Sequence, residues 1–268
     1  VVRWEVDRIG QALRHLDTPV VLLKGAAYVA ARLPPASGRL VSDVDILVPE
    51  GDLAAVEASL LAAGWEHTNY DAYDQYYYRE WMHELPPLQH GLRHTLIDVH
   101  HTLLPRTSRL KPDPRKLFAA AVPLDNSRLY VLAPVDMVLH SATHLFYDGE
   151  FDHGLRDLVD LHELLTHFGT REDFWSSLVP RALELDLQLP LYYALRYTSR
   201  TLGTEVPEDV LEASKAGAPS VSKRAIMDTL VPRVLKPKDP DVSRTADRVA
   251  AWLLYLRGHY LRMPLRLL

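Results

Sequence analysis

No cysteine occurs in the 268 residues. That removes disulfide staples and thiolate metal sites together, and it suits a reducing compartment such as the cytoplasm. There is no uninterrupted apolar run of the roughly 18 residues that a spanning helix needs, and no basic leader before a greasy core. Neither a membrane partner nor a signal peptide is therefore expected. Positive charge is not in excess either, since 30 basic and 35 acidic residues leave a net charge of -5. A long nucleic acid normally demands a basic surface that neutralises several phosphates, so a duplex or RNA partner is disfavoured. Local basic patches at Arg106 to Arg115 and Arg224 to Lys238 could escape that global count, although the runs read more simply as solvated loops. Internal repeats and low-complexity tracts are missing too. The chain is nevertheless 47% hydrophobic, enough for a substantial core in one large domain or two modest ones.

The most informative stretch is Val20 to Val48, VVLLKGAAYVAARLPPASGRLVSDVDILV. Val20-Val21-Leu22-Leu23 is a short run of strand type, Lys24-Gly25-Ala26-Ala27 is a small-residue turn, and Tyr28 to Arg32 continues with helical character. A strand that turns through glycine into a helix directs backbone N–H groups outward, which suits a phosphate chain. Lys24 would add a point charge to the same phosphates. Pro34-Pro35 stops the helix, and the Gly38-Arg39 loop returns the chain to Ser42-Asp43-Val44-Asp45. In a strand, i and i+2 share a face, so Asp43 and Asp45 project together while Val44 and Ile46 point into the core. Two carboxylates one pleat apart repel each other, an arrangement that becomes sensible around a divalent cation.

A third acid follows from the same periodicity. In Leu92 to Leu104, LRHTLIDVHHTLL, the residues His94, Leu96, Asp98 and His100 alternate with Thr95, Ile97 and Val99. Asp98 then lies on the face that carries His94 and His100.

These residues resemble the nucleotidyltransferase superfamily related to DNA polymerase beta, and within it the stand-alone family of uncharacterised nucleotidyltransferases. The superfamily pattern is a strand, a Gly-Ser or Gly-Gly turn opening a helix, and a strand carrying Asp-x-Asp, with a third carboxylate on a neighbouring strand. Gly25, Asp43 and Asp45 match it. Leu22-Leu23-Lys24-Gly25, Arg39 and Asp43 to Val48 look like the narrower family's form. Ala26 departs from the pattern, keeping its backbone N–H but supplying no hydroxyl. The resemblance implies an α+β fold, a nucleotidyltransferase-type mixed sheet with flanking helices, followed by an all-helical C-terminal region. It also implies that Asp43, Asp45 and Asp98 are catalytic and hold magnesium, with manganese as the alternative. Lys24, Gly25, Ala26 and Arg39 would bind a nucleoside triphosphate, for which ATP is the expected substrate. The reaction would transfer a nucleoside monophosphate to a hydroxyl of a small molecule or a protein and release pyrophosphate.

Elsewhere, Trp4, Ile9, Leu13 and Leu16 have near-helical spacing and would cover the first strand. Asp52 to Ala63 reads as an amphipathic helix stopped by Gly64, with Leu53, Val56, Leu60 and Leu61 packed back on the sheet. Trp65 to Met82 sets Tyr76, Tyr78 and Met82 against Tyr77, Arg79 and Trp81, which reads as a hairpin or extended pair. Its tyrosines could stack a nucleobase, and aromatic packing in a twisted sheet is the simpler use. Beyond about residue 130 strand signals fade. Pro134 to Phe146, Leu155 to Phe168, Phe174 to Leu185, Pro190 to Leu202, Pro207 to Ala216 and Thr245 to Met263 carry helical spacing. The expected division is a catalytic domain at 1–130 and a helical accessory domain at 131–268.

Within the helical part, His140 and His144 are four apart, with Asp148, Asp152 and His153 following. Such a set could hold zinc or a second magnesium-like ion and support a metal-dependent phosphohydrolase, although Ser141-Ala142 stand where a His-Glu-x-x-His motif has its glutamate, and bridging the two domains or lining the acceptor pocket is the simpler use. Arg156 and Asp160 belong to a segment that looks like one in the narrower family, where Arg156 would meet a phosphate. An interhelical salt bridge explains them equally well. A further alternative is a nucleotide-binding or protein-interaction module that has lost catalysis.

Overall fold

The computed structural model describes residues 2–39, 41–68, 71–124, 127–147, 151–236 and 245–263. Asp148, Lys238 and residues 69–70 of the aromatic stretch lie outside the described residues. The chain forms two compact units, one from Val1–Thr107 and Lys111–Met137, the other from Ser108–Leu110 and Val138–Leu268.

The first unit runs α1 (Val2–Leu13), β1 (Val20–Leu22), α2 (Lys24–Ala30), β2 (Asp43–Leu47), α3 (Leu53–Ala62), β3 (Trp65–His67), α4 (Ala72–Trp81), β4 (Leu88–His90), β5 (Leu96–His100), α5 (Pro114–Ala120), β6 (Val122–Pro123) and β7 (Leu129–Val131). Its seven strands form one sheet in the order β3-β4-β5-β2-β1-β7-β6. The sheet is mixed, as expected. β1 runs antiparallel to β2 and parallel to β7, while β2 runs parallel to β5. Strand β1 is a continuous apolar run buried throughout, whereas β2 and β5 alternate apolar residues with their carboxylates. Val21, Leu22, Ile46 and Leu47 are all fully buried.

Helix α3 forms where the sequence places it and ends at Gly64, whose φ of +94 suits a residue without Cβ. Val56 and Leu60 are buried as expected, but Leu61 is 40% exposed. Leu61 sits one residue past the buried stripe, about 100° further round the helix. Trp4 also departs from expectation. Helix α1 buries Glu5, Val6, Ile9 and Leu13, and Trp4 stays 49% exposed with the Arg8 and Arg93 guanidiniums beside its ring. Glu5 turns that face inward because its carboxylate accepts from Arg93 Nε at 2.9 Å.

The aromatic stretch is not a hairpin. Residues 72–81 form α4, capped by Asp71, whose side chain accepts from the backbone N–H groups of Tyr73 and Asp74. A run of Tyr73, Tyr76, Tyr77, Tyr78 and Trp81 satisfies period 2 and period 3.6 at once, so spacing alone does not decide it. The cap decides for the helix, together with the stacked i,i+4 pair Tyr73–Tyr77 and the Gln75–Arg79 hydrogen bond.

Helix α6 (Pro134–Tyr147) begins in the first unit and ends in the second. The second unit then comprises α7 (Gly154–Phe168), α8 (Phe174–Glu184), α9 (Gln188–Leu202), α10 (Glu208–Ser214), α11 (Val221–Val234) and α12 (Thr245–Arg262). Tyr193 and Tyr197 stack at 6.0 Å between centroids, with Phe146 against Tyr197 at 5.5 Å. Arg257 closes this aromatic core by donating to the Phe146 carbonyl at 2.8 Å. All the helices read from sequence spacing form. Helix α11 was missed because it buries only Met227 and Val231 and contains Pro232, so it carries little apolar periodicity.

Removing the α4 cap with Asp71→Ala should cost about 1 kcal/mol. A lower urea midpoint with unchanged far-ultraviolet circular dichroism at zero denaturant is the expected outcome.

Candidate active site

Parallel pairing of β2 and β5 places Asp43 opposite Leu96, Asp45 opposite Asp98 and Leu47 opposite His100. Residues in register point to the same side, and the side alternates along each strand. Asp43, Asp45, Asp98 and His100 therefore share one face. His94 does not join them, because it lies before β5 at φ 57, outside the strand.

The three acids have different surroundings. Asp45 is 4% exposed, and its Oδ1 accepts from Lys24 Nζ at 3.1 Å and from His100 Nε2 at 3.1 Å. Burial alone would push this carboxyl up, but the Lys24 and His100 charges and hydrogen bonds prevail and hold it well below the usual carboxylate range. Asp98 has no such help. Burial, together with the Asp45, Glu84 and Asp43 carboxylates, pushes it up to about 7 against a weaker opposing pull from His100. Among the described residues no side chain hydrogen-bonds or ion-pairs with its carboxyl. Asp43 is half-buried and accepts from Ser42 Oγ at 3.2 Å.

Two neighbours escaped the sequence reading. Glu84 Oε2 lies 3.3 Å from His100 Nδ1, and the His83 and His100 rings are 5.1 Å apart. His100 is thus held between two carboxylates. Burial disfavours charge on its ring, but Glu84 and Asp45 outweigh that and raise its pKa. The signal for Glu84 was available only as Met82-His83-Glu84-Leu85 before Pro86-Pro87, a segment with no motif, which pairs with β5 through a single bridge.

The phosphate-loop candidates gather at the start of α2. Lys24 occupies φ 42, a left-handed value that costs a non-glycine residue about 1–2 kcal/mol, and its ammonium is drawn to Asp45. Gly25 is needed for close approach, since a Cβ there would meet Arg39 Nε at 2.9 Å and Val41 Cγ2 at 3.1 Å. Arg39 in turn lies over the Tyr28 ring at 5.5 Å. Ala26 is buried, and its amide stands with that of Gly25 in the first helical turn, where no carbonyl one turn back exists to accept.

Arg156 belongs to the second unit and donates to Asp157 Oδ1 from Nε at 3.1 Å and Nη2 at 3.0 Å. His144 Nδ1 lies 3.9 Å from Asp157 Oδ2. Among the described residues, His83, Glu84 and His100 bring three donor atoms within 4.8 Å of one another, whereas neither His140 and His144 nor the trio Asp43, Asp45 and Asp98 belongs to a group that tight.

A mixed sheet with flanking helices that sets three carboxylates on one face, beside a strand-turn-helix with a glycine at the turn, has a nucleotidyltransferase-like fold. Residues 1–203 match the family described as uncharacterised nucleotidyltransferase. The chain belongs to that family, is a nucleotidyltransferase, and has nucleoside monophosphate transfer as its reaction class. No curated protein matches. Among solved structures, the antibiotic-resistance factor ANT(2'')-Ia is similar at a TM-score of 0.43 and 11% identity, covering 74% of this chain and 94% of that one.

The Asp98 shift sets a pH dependence. Its folded pKa of about 7 lies above the unfolded value of about 3.9. Between the two the folded protein binds more protons, so this group's contribution to stability falls as pH rises toward 7. In metal-free buffer Asp98→Asn should therefore melt higher than the parent protein at pH 8, with the gap narrowing steadily as pH falls toward 4. Equal melting temperatures at pH 8 would refute the like-charge strain at this position.

Proposed function

We propose that residues 1–130 catalyse transfer of a nucleoside monophosphate from a triphosphate, with ATP as the expected donor, to a hydroxyl of a small molecule or protein. The observation that carries this reading is the register Asp45–Asp98 with Asp43 one pleat away, which puts three carboxylates on one face of the sheet. An all-oxygen donor set with one carboxyl pushed up to about 7 fits a hard divalent ion such as magnesium, with manganese as the alternative. Asp43, Asp45 and Asp98 would hold it, and when bound it would neutralise charge on the phosphates and on the attacking and leaving oxygens.

The side chains have separable tasks. Asp45 keeps one orientation because Lys24 and His100 grip the same oxygen. Asp98 would share in holding the ion and, as a carboxylate beside it, accept the proton of the acceptor hydroxyl as it attacks the alpha-phosphorus and pyrophosphate departs. Arg39 and the first-turn amides of Gly25 and Ala26 would bind the outer phosphates, and Lys24 would be shared between Asp45 and the triphosphate. Residues 131–268 serve as a helical accessory domain in this reading. The net charge of -5 favours a small-molecule or protein acceptor over a long nucleic acid.

Incubation with each labelled nucleoside triphosphate and host extract should transfer label to an acceptor identifiable by mass spectrometry. Asp43→Asn, Asp45→Asn and Asp98→Asn should each lower the rate by at least about a thousandfold, equivalent to about 4 kcal/mol of transition-state stabilisation. Label transfer undiminished in all three would overturn the assignment. Gly25→Ala displaces Arg39 or Val41, and it should raise the KM for the triphosphate more than it lowers kcat.

A further inference from the structure

We propose that His83, Glu84 and His100 form a second cation site, of the zinc class, adjoining the three aspartates but built from different donors. One donor atom from each of the three lies within 4.8 Å of the others. The backbone fixes this grouping. Glu84 bridges His100 in antiparallel fashion, the Leu85 N–H donates to the Val99 carbonyl at 2.9 Å, and the His101 N–H donates to the His83 carbonyl at 2.9 Å. The cluster therefore sits on paired extended chain.

Three physical features favour an ion of this kind. First, a tetrahedral zinc with bonds of about 2.0–2.1 Å spaces its ligand atoms roughly 3.3 Å apart. Glu84 Oε2 and His100 Nδ1 are already separated by 3.3 Å. A ring nitrogen of His83 lies within 4.8 Å of donor atoms of both. Second, the other ring nitrogen of His100 meets Asp45 Oδ1 at 3.1 Å. A carboxylate behind a metal-bound histidine fixes its tautomer and raises its basicity, which is the usual support for such a ligand. Third, four carboxylates, those of Asp43, Asp45, Glu84 and Asp98, act on one another here against the cationic Lys24 and His100, so added positive charge is favourable. Two imidazole donors select zinc over magnesium, which prefers oxygen.

Binding places the ion where Nδ1 carries its proton, and that proton leaves to solvent. Glu84 then exchanges an ion pair with the ring for a bond to the ion. Asp45 keeps its hydrogen bond from Nε2, so the metal orients an aspartate of the neighbouring site without touching it. The assignment does not depend on monophosphate transfer and would stand if that reading failed.

The full chain, stripped with a chelator and dialysed, should take up one equivalent of zinc by elemental analysis. Cobalt in its place should give the visible absorption of a four- or five-coordinate ion. Zinc affinity should fall more than about tenfold in His83→Ala and in Glu84→Gln, and persist in Asp43→Asn and Asp98→Asn. Circular dichroism of each variant identifies any that fail to fold, and the milder His83→Gln then takes the place of His83→Ala. Absence of stoichiometric zinc in the parent chain overturns the proposal. So does affinity unchanged in both cluster variants, or loss confined to the aspartate variants, which would place the ion on the three acids instead.

Discussion

The register of β2 against β5 is the constraint on which the site depends. Parallel strands have evenly spaced bonds, and a slip by one residue would send Asp98 to the opposite face while Asp45 stayed. What holds the register is apolar. Val44 lies opposite Ile97 and Ile46 opposite Val99, all four buried. Burial of side chains this size contributes about 1.5–3 kcal/mol each, against which the repulsion of neighbouring carboxylates is affordable. The hydrophobic positions thus hold the acids together against their own electrostatics.

Much of this was legible in the chain because strand periodicity is short and strict. Asp43 and Asp45 two apart, and Asp98 between Ile97 and Val99, state their own faces. Gly25 announced a turn, and the contacts a Cβ would make with Arg39 and Val41 give the reason for it. Periodicity was silent where a residue reaches the site without belonging to a repeating element. Glu84 and His83 pair with β5 through one bridge, and no spacing rule marks a single bridge. It misled where aromatics crowded, since residues 72–81 fit both a strand and a helix until the Asp71 cap is weighed. His94 failed for a third reason, a left-handed backbone that ends the alternation before β5 begins.

The helical unit was readable for a different reason. Helices α7 and α9 each bury a broad stripe, so their spacing survives in the sequence. Helix α11 buries little and carries a proline, so nothing in its residues advertises it. The family match ends at residue 203, at the close of α9. Helices α10, α11 and α12 lie beyond it, while every residue of the acid cluster and its supporting His83, Glu84, Lys24 and Arg39 lies within.

Asp45 and Asp98 are neighbours in register, yet their environments drive them apart. Two cations grip Asp45, so it stays ionised and oriented throughout the physiological range. Asp98 is partly buried against three like charges with only a weak opposing influence, and its proton is held to about 7. Without an ion the pair thus divides into one fixed charge and one carboxyl that exchanges its proton near neutrality. In the proposed reading the strain also has a use. Stability given up at Asp98 is restored when a cation or cationic ligand binds the folded state, so the same electrostatic imbalance that weakens the empty site strengthens its grip on what fills it.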